Sequence, residues 1–106
     1  MILKGEPPPA AALADVPTGG GKLVQVNGTR VVLARVGERV YACADTCSHR
    51  GGPLSEGKLA GARLTCPWHG WLYDVRSGRC LLPGRGAAIA TYPVRLEGGD
   101  IWVDVA

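Results

Sequence analysis

Short runs of apolar residues, separated by polar and glycine-containing turns, recur along the chain and are typical of short β-strands. The apolar-rich runs 22–26 and 30–36 flank a turn at Asn27-Gly28, two residues that tolerate the positive φ angles of a tight hairpin. A third run, 39–43, follows a second glycine-containing turn. The pattern predicts a meander of antiparallel strands in this part of the chain.

A second hairpin is predicted near the end of the sequence. Runs 91–96 and 100–105 flank Gly98-Gly99, and their apolar residues alternate with polar ones as in a half-buried sheet. No segment has a convincing helical period. The prolines around the alanine-rich stretch 10–14 argue against a helix there.

The middle of the chain differs in composition from both ends. Residues 45–84 are dense in Gly, Pro, Trp, Cys and His, which is typical of loops rather than of regular strands. We therefore expect one all-β domain over residues 1–106, in which a small antiparallel sandwich or barrel carries a loop-rich subdomain at about 45–84.

Composition excludes several classes of partner. The net charge is +3 with 20% charged residues, and the basic residues are scattered, so nucleic-acid binding is not expected. The longest apolar stretches are too short for a signal peptide or a membrane span. We expect a soluble, cytoplasmic monomer whose cysteines stay reduced and available as metal ligands.

Metal-binding chemistry is concentrated at two short motifs. Cys47 and His49 form a Cys-x-His pair, and Cys66 and His69 form a Cys-x-x-His pair that contains the only other histidine. Four such ligands could hold one zinc ion in a zinc-stabilised binding module. Zinc fingers, however, usually place their cysteines together and their histidines together, whereas mixed pairs suit two different metal atoms.

The two motifs and their flanking residues resemble those of the Rieske family. The resemblance implies the Rieske fold and one [2Fe–2S] cluster in which two histidines replace two cysteines on one iron. By this resemblance Cys47 and Cys66 bind one iron, and His49 and His69 bind the other. The segments that carry it are Cys47-Ser-His49-Arg-Gly51 and Cys66-Pro-Trp-His69-Gly-Trp71.

The length of the chain resembles that of the stand-alone ferredoxins that serve bacterial aromatic-ring dioxygenases. The resemblance implies a soluble one-electron carrier, not an enzyme, that docks transiently on a flavin-dependent reductase and on a terminal oxygenase. Apart from His49 and His69 the chain has no histidine that could act as a catalytic base. The alternative is the small subunit of a nitrite-reductase-like or other multicomponent oxidoreductase.

Several positions depart from the respiratory members of the Rieske family. Those proteins have a disulfide where this chain has Gly52 and Trp68, and a serine that donates to a sulfide where it has Trp71. Fewer hydrogen bonds to sulfur stabilise the reduced cluster less, although Tyr73 could still donate to a cysteine sulfur. We therefore expect a potential toward the low end of the range of about −150 to +300 mV.

The remaining conspicuous residues have simpler interpretations. Cys43 and Cys80 lie outside the two motifs and are interpreted as small buried apolar residues. Trp68 and Trp71 are expected to shield the cluster from water, with partner docking as a secondary role for them.

Overall fold

A computed structural model describes residues 8–47, 51–68 and 70–105 of the chain. Across these residues the strands form three antiparallel sheets, which confirms the all-β prediction, and the helical elements are short 3-10 turns at Leu13–Asp15 and Leu54–Glu56. No helix in the described part is long and apolar enough to cross a membrane. The strands are β1 (Ala11–Ala12), β2 (Gly21–Val26), β3 (Thr29–Val36), β4 (Arg39–Ala44), β5 (Lys58–Ala60), β6 (Arg63–Thr65), β7 (Leu72–Asp74), β8 (Cys80–Leu82), β9 (Thr91–Tyr92), β10 (Val94–Glu97) and β11 (Asp100–Val103).

The central sheet has the strand order β2-β3-β4-β9, the terminal sheet the order β1-β11-β10, and the distal sheet the order β5-β6-β7-β8. The predicted first hairpin is confirmed, since Val26 pairs with Thr29 across the two-residue turn. Asn27 and Gly28 there adopt φ angles of 51° and 81°, as a turn of this kind requires.

Strand β3 is buried on both faces because it separates two hydrophobic cores. Val31 and Leu33 point into one core and Val32 and Ala34 into the other, and all four are fully buried. The terminal core comprises Val16, Val24, Val31, Leu33, Val40, Ala42 and Ile101. The distal core comprises Val32, Ala34, Cys43, Cys47, Leu54, Leu59, Leu64, Cys66, Tyr73, Val75, Cys80 and Ile89.

The distal sheet occupies the region that the sequence predicted to be rich in loops. Its strands are only three residues long, which is too short to show a two-residue period in the sequence. Leu59, Leu64, Tyr73 and Cys80 lie side by side in the register and face the distal core. The intervening residues of these strands face outward, and the longer loops lie at the strand ends.

The predicted strand 91–96 is divided between two sheets. Thr91–Tyr92 pairs with β4 of the central sheet, whereas Val94–Glu97 pairs with β11 of the terminal sheet. Pro93 separates them because it has no N–H group to donate to a strand neighbour. Its carbonyl accepts the N–H of Asp104 at 3.1 Å. The chain thus passes from one sheet to the other at this residue.

Candidate metal centre

The first candidate loop, residues 47–52, follows β4 and begins with Cys47. The N–H of Gly51 donates to the carbonyl of Cys47 at 2.9 Å, and the N–H of Cys47 donates to the carbonyl of Gly52 at 2.9 Å. Gly51 has a φ angle of 72°, in the left-handed region that favours glycine. The two bonds close the loop and fix the position of its cysteine.

The second candidate loop, residues 66–71, repeats this arrangement between β6 and β7. The N–H of Gly70 donates to the carbonyl of Cys66 at 3.1 Å, and the N–H of Cys66 donates to the carbonyl of Trp71 at 2.7 Å. Gly70 has a φ angle of 73°. Both loops therefore have the same hydrogen bonds at the same spacing, with a left-handed glycine at the same position. Two equivalent loops present their cysteines in the same way.

The two cysteines belong to the same buried region. Cys47 and Cys66 are 3% and 2% exposed, and both side chains contribute to the distal core. Tyr73 is fully buried on β7, and its hydroxyl oxygen lies 3.1 Å from the sulfur of Cys47. A phenol at this distance is placed to donate a hydrogen bond to a thiolate.

The backbone of the first loop lies directly against the sulfur of the second. A Cβ atom added at Gly52 would lie 2.8 Å from the sulfur of Cys66 and 3.1 Å from the ring of Trp68. Only glycine fits there, so the structure brings the two loops together into one site. Two soft sulfur donors on opposed, equivalent loops fit an iron–sulfur group.

The structure separates the roles of the two tryptophans. Trp71 is partly buried and packs against the distal core, as expected for a residue that shields the site. Trp68 is 57% exposed. Shielding of the cluster by Trp71 stays a prediction, whereas most of the surface of Trp68 is open to solvent or to a partner.

Two of the four predicted ligands, His49 and His69, lie outside the described residues. Arg50, next to the first of them, also lies outside. The structure thus gives the surroundings of the two predicted cysteine ligands and the backbone hydrogen bonds that close both loops.

A buried aspartate anchors the first loop to the central sheet, and sequence reasoning missed it. Asp45 is 1% exposed, and its carboxylate accepts the N–H of Ser55 at 2.6 Å and a guanidinium N–H of Arg30 at 3.1 Å. Its backbone carbonyl also accepts the N–H of Leu54. Asp45 therefore holds the chain on both sides of the first loop. A polar residue beside a metal motif was the only signal for it in the sequence.

Cys43 and Cys80 are buried thiols, as predicted. The thiol of Cys43 donates to the carbonyl of Val75 at 3.3 Å, and that of Cys80 to the carbonyl of Leu82 at 3.2 Å. Burial, with a smaller contribution from the negative charge of Asp74, raises the pKa of Cys43 to about 12. Cys43 therefore stays protonated and is a poor metal ligand.

Comparison with known proteins identifies the family of this site. A family model described as the Rieske [2Fe-2S] domain matches residues 6–93. The chain belongs to the Rieske [2Fe-2S] family. Its cofactor is accordingly an iron–sulfur cluster of the Rieske type, which sets the zinc module aside.

Two relatives of this Rieske protein are ferredoxin components of similar length. It is 35% identical over 97 residues to the ferredoxin component of the naphthalene 1,2-dioxygenase system of Pseudomonas aeruginosa, covering 92% of this chain and 93% of the relative. It is 36% identical over 97 residues to the 3-phenylpropionate/cinnamic acid dioxygenase ferredoxin subunit of Shigella flexneri serotype 5b (strain 8401), covering 91% of each.

A solved structure has the same fold. It is a complex of reduced oxygenase and oxidized ferredoxin in carbazole 1,9a-dioxygenase. The match has a TM-score of 0.82 and 30% identity, and it covers 91% of this chain and 99% of the matched chain in that complex. The predicted Rieske fold is confirmed, and the relatives confirm a ferredoxin-type electron carrier rather than a catalytic oxygenase.

Proposed function

We propose that this Rieske protein holds one [2Fe–2S] cluster between its two loops, with Cys47 and Cys66 on one iron and His49 and His69 on the other. The observation that carries the proposal is the equivalence of the loops, which have the same two hydrogen bonds and the same left-handed glycine. A centre that takes one cysteine and one histidine from each loop suits such a pair.

The chain's own residues prepare this site for electron transfer. When bound, such a cluster supplies reversible one-electron chemistry. The distal core buries both cysteine side chains, Trp71 packs against this core, and the hydroxyl of Tyr73 is placed to stabilise negative charge on Cys47. These contacts keep water from the sulfurs while the loops remain at the end of the distal sheet, where a partner can approach.

We further propose that one domain, residues 1–106, acts in the cytoplasm as a monomer that takes electrons from a flavin-dependent reductase. The acceptor is a terminal oxygenase. The names of the relatives, which are ferredoxin components of dioxygenase systems, support this role. The pairing of oxygenase and ferredoxin in the carbazole 1,9a-dioxygenase complex supports the choice of acceptor. A carrier needs a weak and rapidly reversible interface with each partner.

Metal analysis of purified protein tests the ligand assignment. We expect two iron atoms and two inorganic sulfides per chain, and a dithionite-reduced EPR spectrum with the low average g value of a Rieske centre. Alanine at Cys47, His49, Cys66 or His69 should abolish that spectrum. Cys43→Ala and Cys80→Ala are matched controls, because both remove a buried thiol of the same core, and they should retain it. Protein that contains zinc and no iron would refute the assignment.

Reconstitution tests the partners. The protein is mixed with a flavin-dependent reductase, NADH and, in turn, the oxygenase components of naphthalene and 3-phenylpropionate dioxygenase systems and of Rieske oxygenases from its own genome. We expect one of these oxygenases to turn over only when the ferredoxin is present. If every oxygenase stays inactive while the cluster is reduced normally by dithionite, the proposed role in an oxygenase system is wrong.

A further inference from the structure

The outer face of the distal sheet carries a group of basic side chains. Side chains along strands β5 to β8 point alternately to the two faces of the distal sheet, so the residues next to the buried row face away from the core. Lys58 and Arg63 occupy such outward positions and are exposed. Arg79 is also exposed, and its carbonyl accepts the N–H of Asp74, so Arg63 and Arg79 flank Asp74 on the same face.

Acidic side chains compensate for part of this charge. Asp74 is the one acidic residue in the outward rows of the described distal strands, and it binds a guanidinium N–H of Arg76 at 2.9 Å. The bond from Arg76 lowers the pKa of Asp74, so that it stays ionised at neutral pH. Exposed Glu56 lines the same surface as Lys58, so Lys58, Arg63, Arg76 and Arg79 together exceed Asp74 and Glu56 by two positive charges.

The distribution of charge along the sequence agrees with this excess. Residues 45–90 contain six Lys and Arg residues and three Asp and Glu residues, so their net charge of +3 equals that of the whole chain. One of the three acids, Asp45, is buried and bonded to Arg30 of the central sheet. The positive charge is therefore concentrated in the half of the molecule that carries the two candidate loops.

Apolar side chains lie between the basic group and the second loop. In the register Lys58 is opposite Thr65, Thr65 opposite Leu72, and Leu72 opposite Leu82. This outward row directly adjoins residues 66–71, and Leu82 is 60% exposed. An exposed apolar contact beside the loops, with charge behind it, is the arrangement of a transient protein interface.

We propose that the outer face of the distal sheet, defined by Lys58, Arg63, Arg76, Arg79 and Leu82, docks on an acidic face of the terminal oxygenase. The inference rests on the proposed function and names the chemistry of its partner. Opposite charges steer the encounter and orient the two loops toward the acceptor, and the contact at Leu82 forms at short range. Because these charges are exposed, salt screens the attraction and the complex dissociates quickly.

Charge reversal tests the proposal. The double variant Arg63→Glu/Arg79→Glu is compared with Arg39→Glu/Arg95→Glu, which has the same change of net charge in the central and terminal sheets. The four residues are all exposed. Stopped-flow spectroscopy measures the second-order rate at which each reduced holoprotein reduces the oxygenase that the wild-type protein serves best.

At low ionic strength we expect the distal variant, Arg63→Glu/Arg79→Glu, to reduce the oxygenase about tenfold or more slowly than wild type does. The rate of the control variant, Arg39→Glu/Arg95→Glu, should stay within about twofold of wild type. The difference should largely vanish at about 0.5 M salt, because the Debye length there is only a few ångströms. Equal effects of the two double variants, or a faster distal variant, would overturn the proposal.

Further readouts distinguish a failure of this docking proposal from a failure of the proposed function. The EPR spectra of both variants should match that of wild type, which shows that the reversals leave the cluster site intact. A wild-type protein that reduces no oxygenase would overturn both the proposed function and this inference. If Arg63→Glu/Arg79→Glu reduces the oxygenase normally but no longer binds a 20-base-pair DNA duplex, the face binds nucleic acid. That result would overturn the docking proposal and leave the proposed function intact.

Discussion

At the scale of single residues, Tyr73 is predicted to raise the reduction potential. Its hydroxyl lies 3.1 Å from the sulfur of Cys47, and donation to that sulfur favours the more negative, reduced state. Tyr73→Phe removes the donor and keeps the ring. We expect the potential to fall by roughly 20–65 mV, which corresponds to a differential of about 0.5–1.5 kcal/mol for one hydrogen bond. Protein-film voltammetry measures the change, and an unchanged or higher potential would contradict it.

Gly52 is predicted to be essential for assembly of the site. In Gly52→Ala the new Cβ would lie 2.8 Å from the sulfur of Cys66, so that one of the two loops must move. Overpacking of this kind typically costs about 1–3 kcal/mol. We expect a lower iron content and faster loss of the visible absorption on heating.

Gly20→Ala is the matched control for that substitution. Its added Cβ would meet nothing nearer than 3.9 Å, and neither glycine has a positive φ angle. Gly20→Ala should therefore bind iron as wild type does. Equal iron content in the two variants would show that the close approach of Gly52 to the sulfur of Cys66 does not affect iron binding.

Cys43 is predicted to resist alkylation although its thiol lies in the same core as the two proposed cysteine ligands. With a pKa of about 12 it stays a thiol at pH 8, where about one molecule in 10⁴ carries the thiolate. The thiol is also fully buried. Iodoacetamide followed by mass spectrometry should find Cys43 unmodified in the native holoprotein and modified in urea. Rapid modification of the native protein would contradict this environment.

At the scale of elements, Asp45 connects the central sheet to the 3-10 helix that follows the first loop. Asp45→Ala leaves the partly buried N–H of Ser55 and the guanidinium of Arg30 without this acceptor. We expect a loss of about 2–3 kcal/mol, which lowers the midpoint of thermal unfolding by roughly 8 °C or more in a chain of this length.

The comparison for Asp45 is Asp74→Ala, which removes an ion pair with Arg76, whose side chain is 61% exposed, and a hydrogen bond from the Arg76 backbone N–H. Such a pair contributes about 0–1 kcal/mol. Arg76 lowers the pKa of Asp74, so this small contribution is present at neutral pH and is lost only as the pH falls through that lowered pKa. Equal melting temperatures for the two variants at pH 7 would show that Asp45 is not an anchor.

The elements also show how far the sequence predicts this molecule. The first hairpin was predictable because Asn27-Gly28 determines a local turn. The distal sheet was not, because strands of three residues depend on their neighbours rather than on their own pattern. For the site, the motifs indicated the cysteines, whereas the link between Arg30 and Asp45 joins residues 15 positions apart and needed the structure.

At the scale of the whole molecule, the two cores share the hairpin β3–β4 but differ in their dependence on the metal. The terminal core is made of aliphatic side chains, whereas the distal core includes both cysteines of the candidate centre. Buried thiols without their metal lose the cross-link that joins the two loops. Removal of the metal should therefore weaken the distal half first.

Hydrogen exchange of the Cys66→Ser variant tests this division, with the wild-type holoprotein as reference. We expect amide protection to fall in β6 and β7, which flank the second loop, because local opening there no longer requires breaking the metal bonds. Protection in β10 and β11 should change little, since Ile101 stays fully buried in the terminal core. Mass spectrometry of peptic fragments resolves the two regions. Equal loss of protection in both would mean that the chain unfolds as one cooperative unit and that the metal stabilises all of it.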